Sequence, residues 1–237
     1  MAKIIELKKN KLGQDWFVGD IHGCYSLLEK HLEEVQFDPV RDRLICTGDL
    51  IDRGPESERA LEFLQQKWFY SVLGNHDNFI NGDLNDIYHL LNWYGNGGSW
   101  WWYLDSEKKN EFIRVFAQLP YLIEIETETG TMGVVHAELP ENIGWNELKN
   151  RLDEKQITYT LLWSRHRLLQ KKSTPVADIE LIISGHTMLE QPVKMGNCAF
   201  IDVGACVSNR FVLLNQEQLL TSIGGSEQVD IIYNRYK

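Results

Sequence analysis

Short apolar runs that stop at a glycine punctuate this chain. Trp16-Phe17-Val18 runs into Gly19-Asp20, Leu44 to Thr47 into Gly48-Asp49, and Phe69 to Leu73 into Gly74-Asn75. Each run is β-prone, and a helix-compatible segment follows it. Leu27, Leu28, His31, Leu32 and Val35 have helical spacing over residues 25–36, and Pro39 ends that helix by disfavouring the α conformation just before it. Ala60, Leu61, Phe63 and Leu64 mark the apolar side of a second helix over residues 56–66, with Pro55 placed where its fixed φ favours initiation. Strands alternating with helices predict an α/β organisation.

From Asn78 to Gln118 the pattern turns helical and aromatic. Leu84, Ile87, Tyr88 and Leu91 share one helical face, and Phe112, Val115, Phe116 and Leu119 repeat the spacing. Between them lies a tryptophan-rich stretch from Trp93 to Tyr103. It either floors a groove beside a site or fills a local core, and the usual burial of tryptophan favours the core. The second half reads as largely β. Tyr121 to Glu126 alternates apolar and charged residues, Glu128-Thr129-Gly130 makes a turn, and Met132 to Val135 returns. Residues 147–170 read as helix with interruptions and Ile179 to Ser184 as a buried strand. Val193 to Met195 pairs with Ala199 to Asp202 as a hairpin, and Phe211 to Leu214 is a last strand. The tail after Gly225 is polar apart from Val229 to Tyr233. With no repeat and no Pro/Gly/Ser-rich linker, residues 1–237 read as one domain carrying a helical, aromatic-rich insertion at about 78–118.

Composition narrows the partners. A hydrophobic fraction of 43% is enough for a sizeable core. The 24 Lys+Arg against 34 Asp+Glu leave a formal charge of −10 with no basic stripe, which argues against nucleic acid. No secretory leader and no run long enough to cross a bilayer is visible, so the expectation is a cytoplasmic protein that does not engage a membrane. The four cysteines are scattered without a C-x-x-C pair and read as reduced structural thiols, Cys24 included despite its closeness to His22.

The chemistry gathers at the strand ends. In an α/β sheet, ligands collect beyond the carboxyl ends of parallel strands, so Asp20, His22, Asp49 and Asn75 should face one crevice. Two later runs repeat the pattern: Gly133-Val134-Val135 ends at His136, and Leu181 to Gly185 at His186. Oxygen and imidazole donors without thiolate suit Mn²⁺, Fe or Zn²⁺. There are more donors than one open ion needs. Two ions about 3.5–4 Å apart, bridged by a central carboxylate such as Asp49, would suit in-line displacement at phosphorus. Arg53 is spaced to bind phosphate oxygens in a bidentate manner. His76, directly after Asn75, suits a general acid for the leaving oxygen, with Asp52 orienting it.

The segments Gly19-Asp20-Ile21-His22-Gly23, Gly48-Asp49-Leu50-Ile51-Asp52-Arg53-Gly54 and Gly74-Asn75-His76-Asp77 resemble the three signatures of the PPP-type serine/threonine protein phosphatases. These are calcineurin-like metallophosphoesterases, and the likeness is to their small bacterial and phage members. It runs from about Trp16 to Leu214 and takes in Asn96-Gly97-Gly98, His136-Ala137, Trp163-Ser164-Arg165, Gly185-His186-Thr187 and Ile201 to Ala205. The resemblance implies a β-sandwich flanked by helices, in α/β/β/α layers, with two divalent ions at one edge, Mn²⁺ first and Fe or Zn²⁺ as alternatives. Asp20, His22 and Asp49 would hold one ion; Asp49, Asn75, His136 and His186 would hold the other. Arg53 and Arg165 would bind the phosphoryl oxygens, and His76 with Asp52 would form the acid pair. Arg165 comes from the resemblance alone, since Arg165-His166-Arg167 otherwise reads as a solvated helix face.

The implied activity is hydrolysis of phosphoserine and phosphothreonine in proteins, extending to phosphotyrosine, by direct attack of metal-activated water bridging the two ions. Phosphorylated proteins would be the partners of a monomer. One position departs from the pattern: the protein phosphatases usually have Glu where Asp77 stands, and Asp there resembles the symmetrical bis(5'-nucleosyl)-tetraphosphate hydrolases. Those lack the aspartate found here as Asp52. Hydrolysis of nucleotide polyphosphates is therefore the alternative. A catalytically dead scaffold is a third reading, and the full set of ligands, acid and arginines speaks against it.

Overall fold

Strand residues alternate between two apolar environments, and this makes a sandwich. The structure is a computed structural model that describes residues 3–225 and Ile231. Its strands are β1 (Ile4–Leu7), β2 (Asp15–Val18), β3 (Arg43–Cys46), β4 (Phe69–Ser71) and β5 (Leu122–Glu126). They continue with β6 (Thr131–Val134), β7 (Leu181–Ser184), β8 (Val193–Met195), β9 (Cys198–Phe200) and β10 (Leu213–Asn215). Among the described residues they form one sheet in the order β10-β2-β3-β4 and a second in the order β1-β5-β6-β7-β9-β8.

Successive side chains of a strand point to opposite faces. Phe17, Ile45 and Tyr70 of the first sheet therefore meet Ile123, Ile125, Met132, Val134, Leu181 and Ile183 of the second in a shared inner core. The intervening Trp16, Val18, Leu44 and Cys46 face outward onto the helices Tyr25–Glu34 and Ala60–Leu64. On the far side, Leu122, Ile182 and Phe200 pack against the helices Trp145–Lys149, Lys155–Trp163 and His166–Leu169. Fully burying each such side chain contributes about 1.5–3 kcal/mol, so the layers are held by their two-faced strands. This is the helix–sheet–sheet–helix architecture expected.

The parallel arrangement sets the site. Phe17 pairs with Ile45 and Ile45 with Tyr70 in parallel register, so β2, β3 and β4 end on one side. In the second sheet β6 and β7 are also parallel, with Gly133 opposite Ile182.

Several expectations are refined. Ile4–Leu7 was not anticipated as a strand; it pairs in parallel with β5, from Ile4 opposite Leu122 to Leu7 opposite Ile125. The second helix is shorter than predicted, beginning as a 3₁₀ turn at Ser57–Arg59. The hairpin's second strand spans Cys198–Phe200, which leaves Asp202 beyond its end. The last strand is shifted to Leu213–Asn215 and runs antiparallel to β2. The aromatic stretch is helical in four pieces: Asp77–Asn81, Ile87–Gly95, Gly98–Tyr103 and Ser106–Phe116. Asp86 and Asp105 cap its two α-helices by accepting the backbone N–H of Tyr88 and Lys108. Of the tail segment Val229 to Tyr233, all but Ile231 lies outside the described residues. None of the helices among the described residues is long and apolar enough to cross a membrane.

Candidate active site

The glycines at the strand ends let backbones and carboxylates approach to contact distance. A Cβ on Gly74 would lie 2.1 Å from Asp49 Oδ1, and one on Gly185 would lie 2.1 Å from Asp20 Oδ1 and 2.2 Å from Thr47 Oγ1. Five residues beside these ends hold positive φ without being glycine: His22 (+45°), Asp49 (+51°), Asp52 (+72°), Arg53 (+66°) and His186 (+66°). Left-handed backbone costs such residues energy, and the surrounding hydrogen bonds sustain it. The backbone N–H of Ile21 and of His22 both donate to Asp49 O, and His186 N donates to Asp20.

The ring orientations bring lone pairs together. His136 Nδ1 donates to Thr47 O at 2.8 Å, so in the neutral ring Nε2 carries the lone pair. That Nε2 lies 2.8 Å from Asn75 Oδ1, 3.1 Å from His186 Nδ1 and 3.6 Å from Asp49 Oδ2. His186 Nε2 donates to Trp163 O at 3.2 Å, so its Nδ1 is also a lone pair. Four acceptors thus converge with no proton to share among them. A divalent cation resolves such a cluster, and the oxygen and imidazole donors suit one. On the other side of Asp49, His22 Nε2 lies 3.5 Å from Asp49 Oδ2, with its ring held by Nδ1 donating to Ile51 O at 2.9 Å. Asp49 Oδ2 is therefore flanked by both imidazole groups. His22, Asp49 and His76 form one set close enough to share an ion, and Asp49, His136 and His186 form another. Asp20 approaches His136 Nδ1 to 3.9 Å and accepts the Thr47 hydroxyl at 3.1 Å.

Electrostatics fit the same reading. Burial, with Arg53 and His76 nearby, pushes His22 well below the usual imidazole value. Burial lowers His136 and His186 as well, which favours the lone-pair form of all three rings. Burial raises Asp49, but the imidazoles of His136, His76, His22 and His186 more than offset it and hold the carboxyl low. Burial and the neighbouring Asp202 and Asp49 push Asp20 well up. Crowded carboxylates of this kind call for a compensating positive charge.

The remaining predicted residues surround this cluster. His76 Nδ1 donates to Asp52 Oδ2 at 2.8 Å, and both side chains are buried. Arg53 Nη1 donates to His22 Nε2 and Nη2 to His76 Nε2, each at 2.8 Å. Arg165 stands at the start of the helix His166–Leu169 and sends Nη2 toward His186 O at 3.5 Å. His166 is half-exposed on that helix, 2.8 Å from Glu141. Asp77 is fully buried, with Oδ1 accepting Leu50 N at 2.8 Å and Oδ2 accepting Gly74 N at 2.9 Å. It ties two strand-end loops together and has no oxygen left for a substrate.

Three groups escaped the sequence reading. Asp202 lies in the cluster, pushed up to about 6 by burial despite the N–H of Gly204 and the guanidinium of Arg53. An apolar run ending directly in Asp, without the glycine that precedes Asp20, was its one signal in the sequence. Glu138 accepts the backbone N–H groups of His166 at 2.6 Å and Arg167 at 2.8 Å and the Ser164 hydroxyl, framing Arg165. Trp93 and Trp100 direct their indole N–H groups at Asp52.

A profile of the calcineurin-like phosphoesterase family matches residues 16–190. The chain is similar to serine/threonine-protein phosphatase 1 of Salmonella typhimurium, with 34% identity over 201 residues, covering 84% of this chain and 89% of that one. A symmetrical bis(5'-nucleosyl)-tetraphosphatase of Actinobacillus succinogenes is 53% identical over only 64 residues, 26% of this chain and 23% of that one. Among solved structures, a protein serine/threonine phosphatase from Saccharomyces cerevisiae shares the fold with a TM-score of 0.57 at 19% identity, covering 85% of this chain and 71% of that one.

Proposed function

The chain belongs to the calcineurin-like phosphoesterases, and within that family we propose that it is a metal-dependent protein phosphatase acting on phosphoserine and phosphothreonine. The carrying observation is the buried pair of His76 and Asp52, with 2.8 Å between Nδ1 and Oδ2, set against Arg53 and the convergent donor cluster. The Salmonella relative named as a serine/threonine-protein phosphatase, aligned over most of both chains, supports the same reading. Phosphotyrosine and small aryl phosphates fall within its chemistry.

In this reading Asp20, His22 and Asp49 would hold one divalent ion, and Asp49, Asn75, His136 and His186 would hold a second, Asp49 belonging to both sets. Mn²⁺ suits the oxygen and imidazole set. Bound there, the ions supply acidification of water and neutralisation of phosphoryl charge. The chain's own residues do the rest. Arg53 and Arg165 grip the phosphoryl oxygens and align phosphorus with the attacking water. Once Arg53 turns from His76 Nε2 to the phosphoryl oxygens, that nitrogen is free to carry a proton; it gives the proton to the leaving oxygen as the bond to phosphorus breaks, while Asp52 holds the opposite Nδ1–H in place. The displacement is direct, and no side chain is phosphorylated. The protein works in the cytoplasm as a monomer, on phosphorylated proteins, with no need of nucleic acid or membrane. Its acidic balance supports that choice of partner.

Asp77 does not redirect this reading toward nucleotides. Its two oxygens are taken up by Leu50 and Gly74, so it acts on loop geometry. The test compares a phosphoserine peptide with diadenosine tetraphosphate across Mn²⁺, Fe²⁺, Zn²⁺ and Mg²⁺. Phosphopeptide hydrolysis should dominate, with Mn²⁺ giving the highest rate. Faster turnover of the dinucleotide would replace the protein phosphatase with a nucleotide hydrolase.

A further inference from the structure

Two indoles from the aromatic stretch converge on one carboxylate. Trp93 Nε1 donates to Asp52 Oδ1 at 3.0 Å and Oδ2 at 2.9 Å, and Trp100 Nε1 donates to Oδ1 at 2.7 Å. His76 Nδ1 takes Oδ2 at 2.8 Å, and Asp52 is 0% exposed. A carboxylate turns readily about its last bond, and its torsional wells are broad. With one indole straddling both oxygens and the other on Oδ1, the plane is set and Oδ2 is left facing His76.

The indoles are themselves held. Trp93 is 1% exposed, stacks on Phe79 at 6.1 Å and 9°, and tilts against Trp101 at 5.1 Å. Phe79 in turn meets the His76 ring edge-on at 5.9 Å. Gly98 makes the room: a Cβ there would lie 2.4 Å from Trp93 Cδ1 and 2.5 Å from Nε1. The same segment reaches the phosphate-binding arginine, since Gly97 O accepts the backbone N–H of Arg53 at 3.4 Å. Donor type matters as well. An indole N–H donates without carrying charge and cannot exchange the proton in play. A lysine or arginine in its place would neutralise Asp52 and weaken its hold on an imidazolium.

We propose that Trp93 and Trp100 are positioning residues for proton donation: their indole N–H groups fix the Asp52 carboxylate, which fixes His76. The burial that suggests a packing role for these tryptophans holds as well, but it does not explain two donors aimed at one carboxylate. This inference rests on reading His76 as the general acid and not on the identity of the physiological substrate.

The test is a series of aryl phosphates graded by leaving group, from nitrophenyl to phenyl phosphate, with Trp93→Phe, Trp100→Phe and Trp101→Phe. A poor leaving group needs its proton, and a good one does not. Trp93→Phe and Trp100→Phe should each lower kcat on phenyl phosphate about tenfold, leave nitrophenyl phosphate nearly unchanged and hold KM within about twofold. Trp101→Phe, which alters a buried ring of the same cluster, should leave the dependence on leaving group as it is in the wild type. In a His76→Asn background the tryptophan changes should cost nothing further, because they act through that ring. In metal-free protein, proton NMR should show the His76 Nδ1–H exchanging faster in both variants. Equal losses across the series, a full additional cost in the His76→Asn background, or a Trp101→Phe slope like the other two would reduce the indoles to packing. If Trp93→Phe does not fold, Trp100→Phe, whose ring is only partly buried, carries the same test. Failure to hydrolyse phosphopeptides would sink the protein phosphatase reading while leaving this series able to decide its own question.

Discussion

Glu138 accepts the backbone N–H of His166 at 2.6 Å, and through that bond a residue two positions after His136 frames the turn carrying Arg165. The Arg167 N–H and the Ser164 hydroxyl complete its partners. Glu138→Ala removes three hydrogen bonds from part-buried donors to a carboxylate, each worth up to about 1.5–3 kcal/mol and less where water can replace it. The expected outcome is a KM for phosphopeptide raised about tenfold, equivalent to 1.4 kcal/mol, with a lowered melting temperature. A double-mutant cycle with Arg165→Ala checks it: the two changes should be strongly non-additive in KM. Additive losses would separate Glu138 from the clamp.

His76→Asn removes the proton donor while keeping a polar side chain of similar reach. Loss of a general acid typically costs 10²–10⁴-fold, and only where the leaving oxygen needs protonation. Turnover of phosphoserine peptide should therefore fall by about that factor, and turnover of nitrophenyl phosphate much less. Steady-state kinetics on both substrates decides it, and matched losses would remove His76 from the acid role.

Much of this site was legible because glycine ends each strand for a steric reason. At Gly74 and Gly185 a Cβ would collide with Asp49 or Asp20 from another strand end, so each glycine marks where one strand-end loop meets the carboxylate of a second. The helix–sheet–sheet–helix layers were legible in the resemblance. What could not be read depends on long-range contacts. β1 has no alternation, and its partner β5 lies more than a hundred residues away. The reading of the aromatic stretch as a local core holds for Trp93 and Trp101 and in part for Trp100, whereas Tyr94, Trp102 and Tyr103 are exposed; the direction of an indole N–H is set only when the helical stretch packs on Asp52. Asp202 lacks the preceding glycine that marks Asp20 and Asp49, so the same pattern passed over it.

Asp77 is expected to govern stability and leave substrate choice alone. Its two oxygens serve two buried N–H groups, whereas Asn offers one acceptor and turns a donor toward the other N–H. Asp77→Asn should cost about 1–3 kcal/mol in urea unfolding. The ratio of phosphopeptide to diadenosine tetraphosphate turnover should stay constant among the wild type, Asp77→Asn and Asp77→Glu. A ratio that moves about tenfold while stability holds would return Asp77 to the question of specificity.

The last prediction concerns pH and metal together. Asp202 is pushed up to about 6 by burial, from an ordinary 3.8. Its folded-state value exceeds its unfolded one, so between the two the folded chain holds a proton that the unfolded chain has released. The associated stability is present in full below the unfolded value and is lost as pH rises through about 6. His22, His136 and His186, lowered by burial, act the other way and cost stability as pH falls below the usual imidazole value. Comparing the wild type with Asp202→Asn cancels the histidines. With chelator present, the wild type should gain on the order of 2–3 kcal/mol over the variant between pH 7 and pH 4, read from urea midpoints. Saturating Mn²⁺ at pH 7 should raise the melting temperature of the wild type by linkage, since the ions bind only the folded site. That rise should disappear as pH falls, because protons compete for the same imidazoles and carboxylates. A stability difference independent of pH in chelator, or a Mn²⁺ effect that persists at pH 4, would contradict the electrostatic description of the cluster.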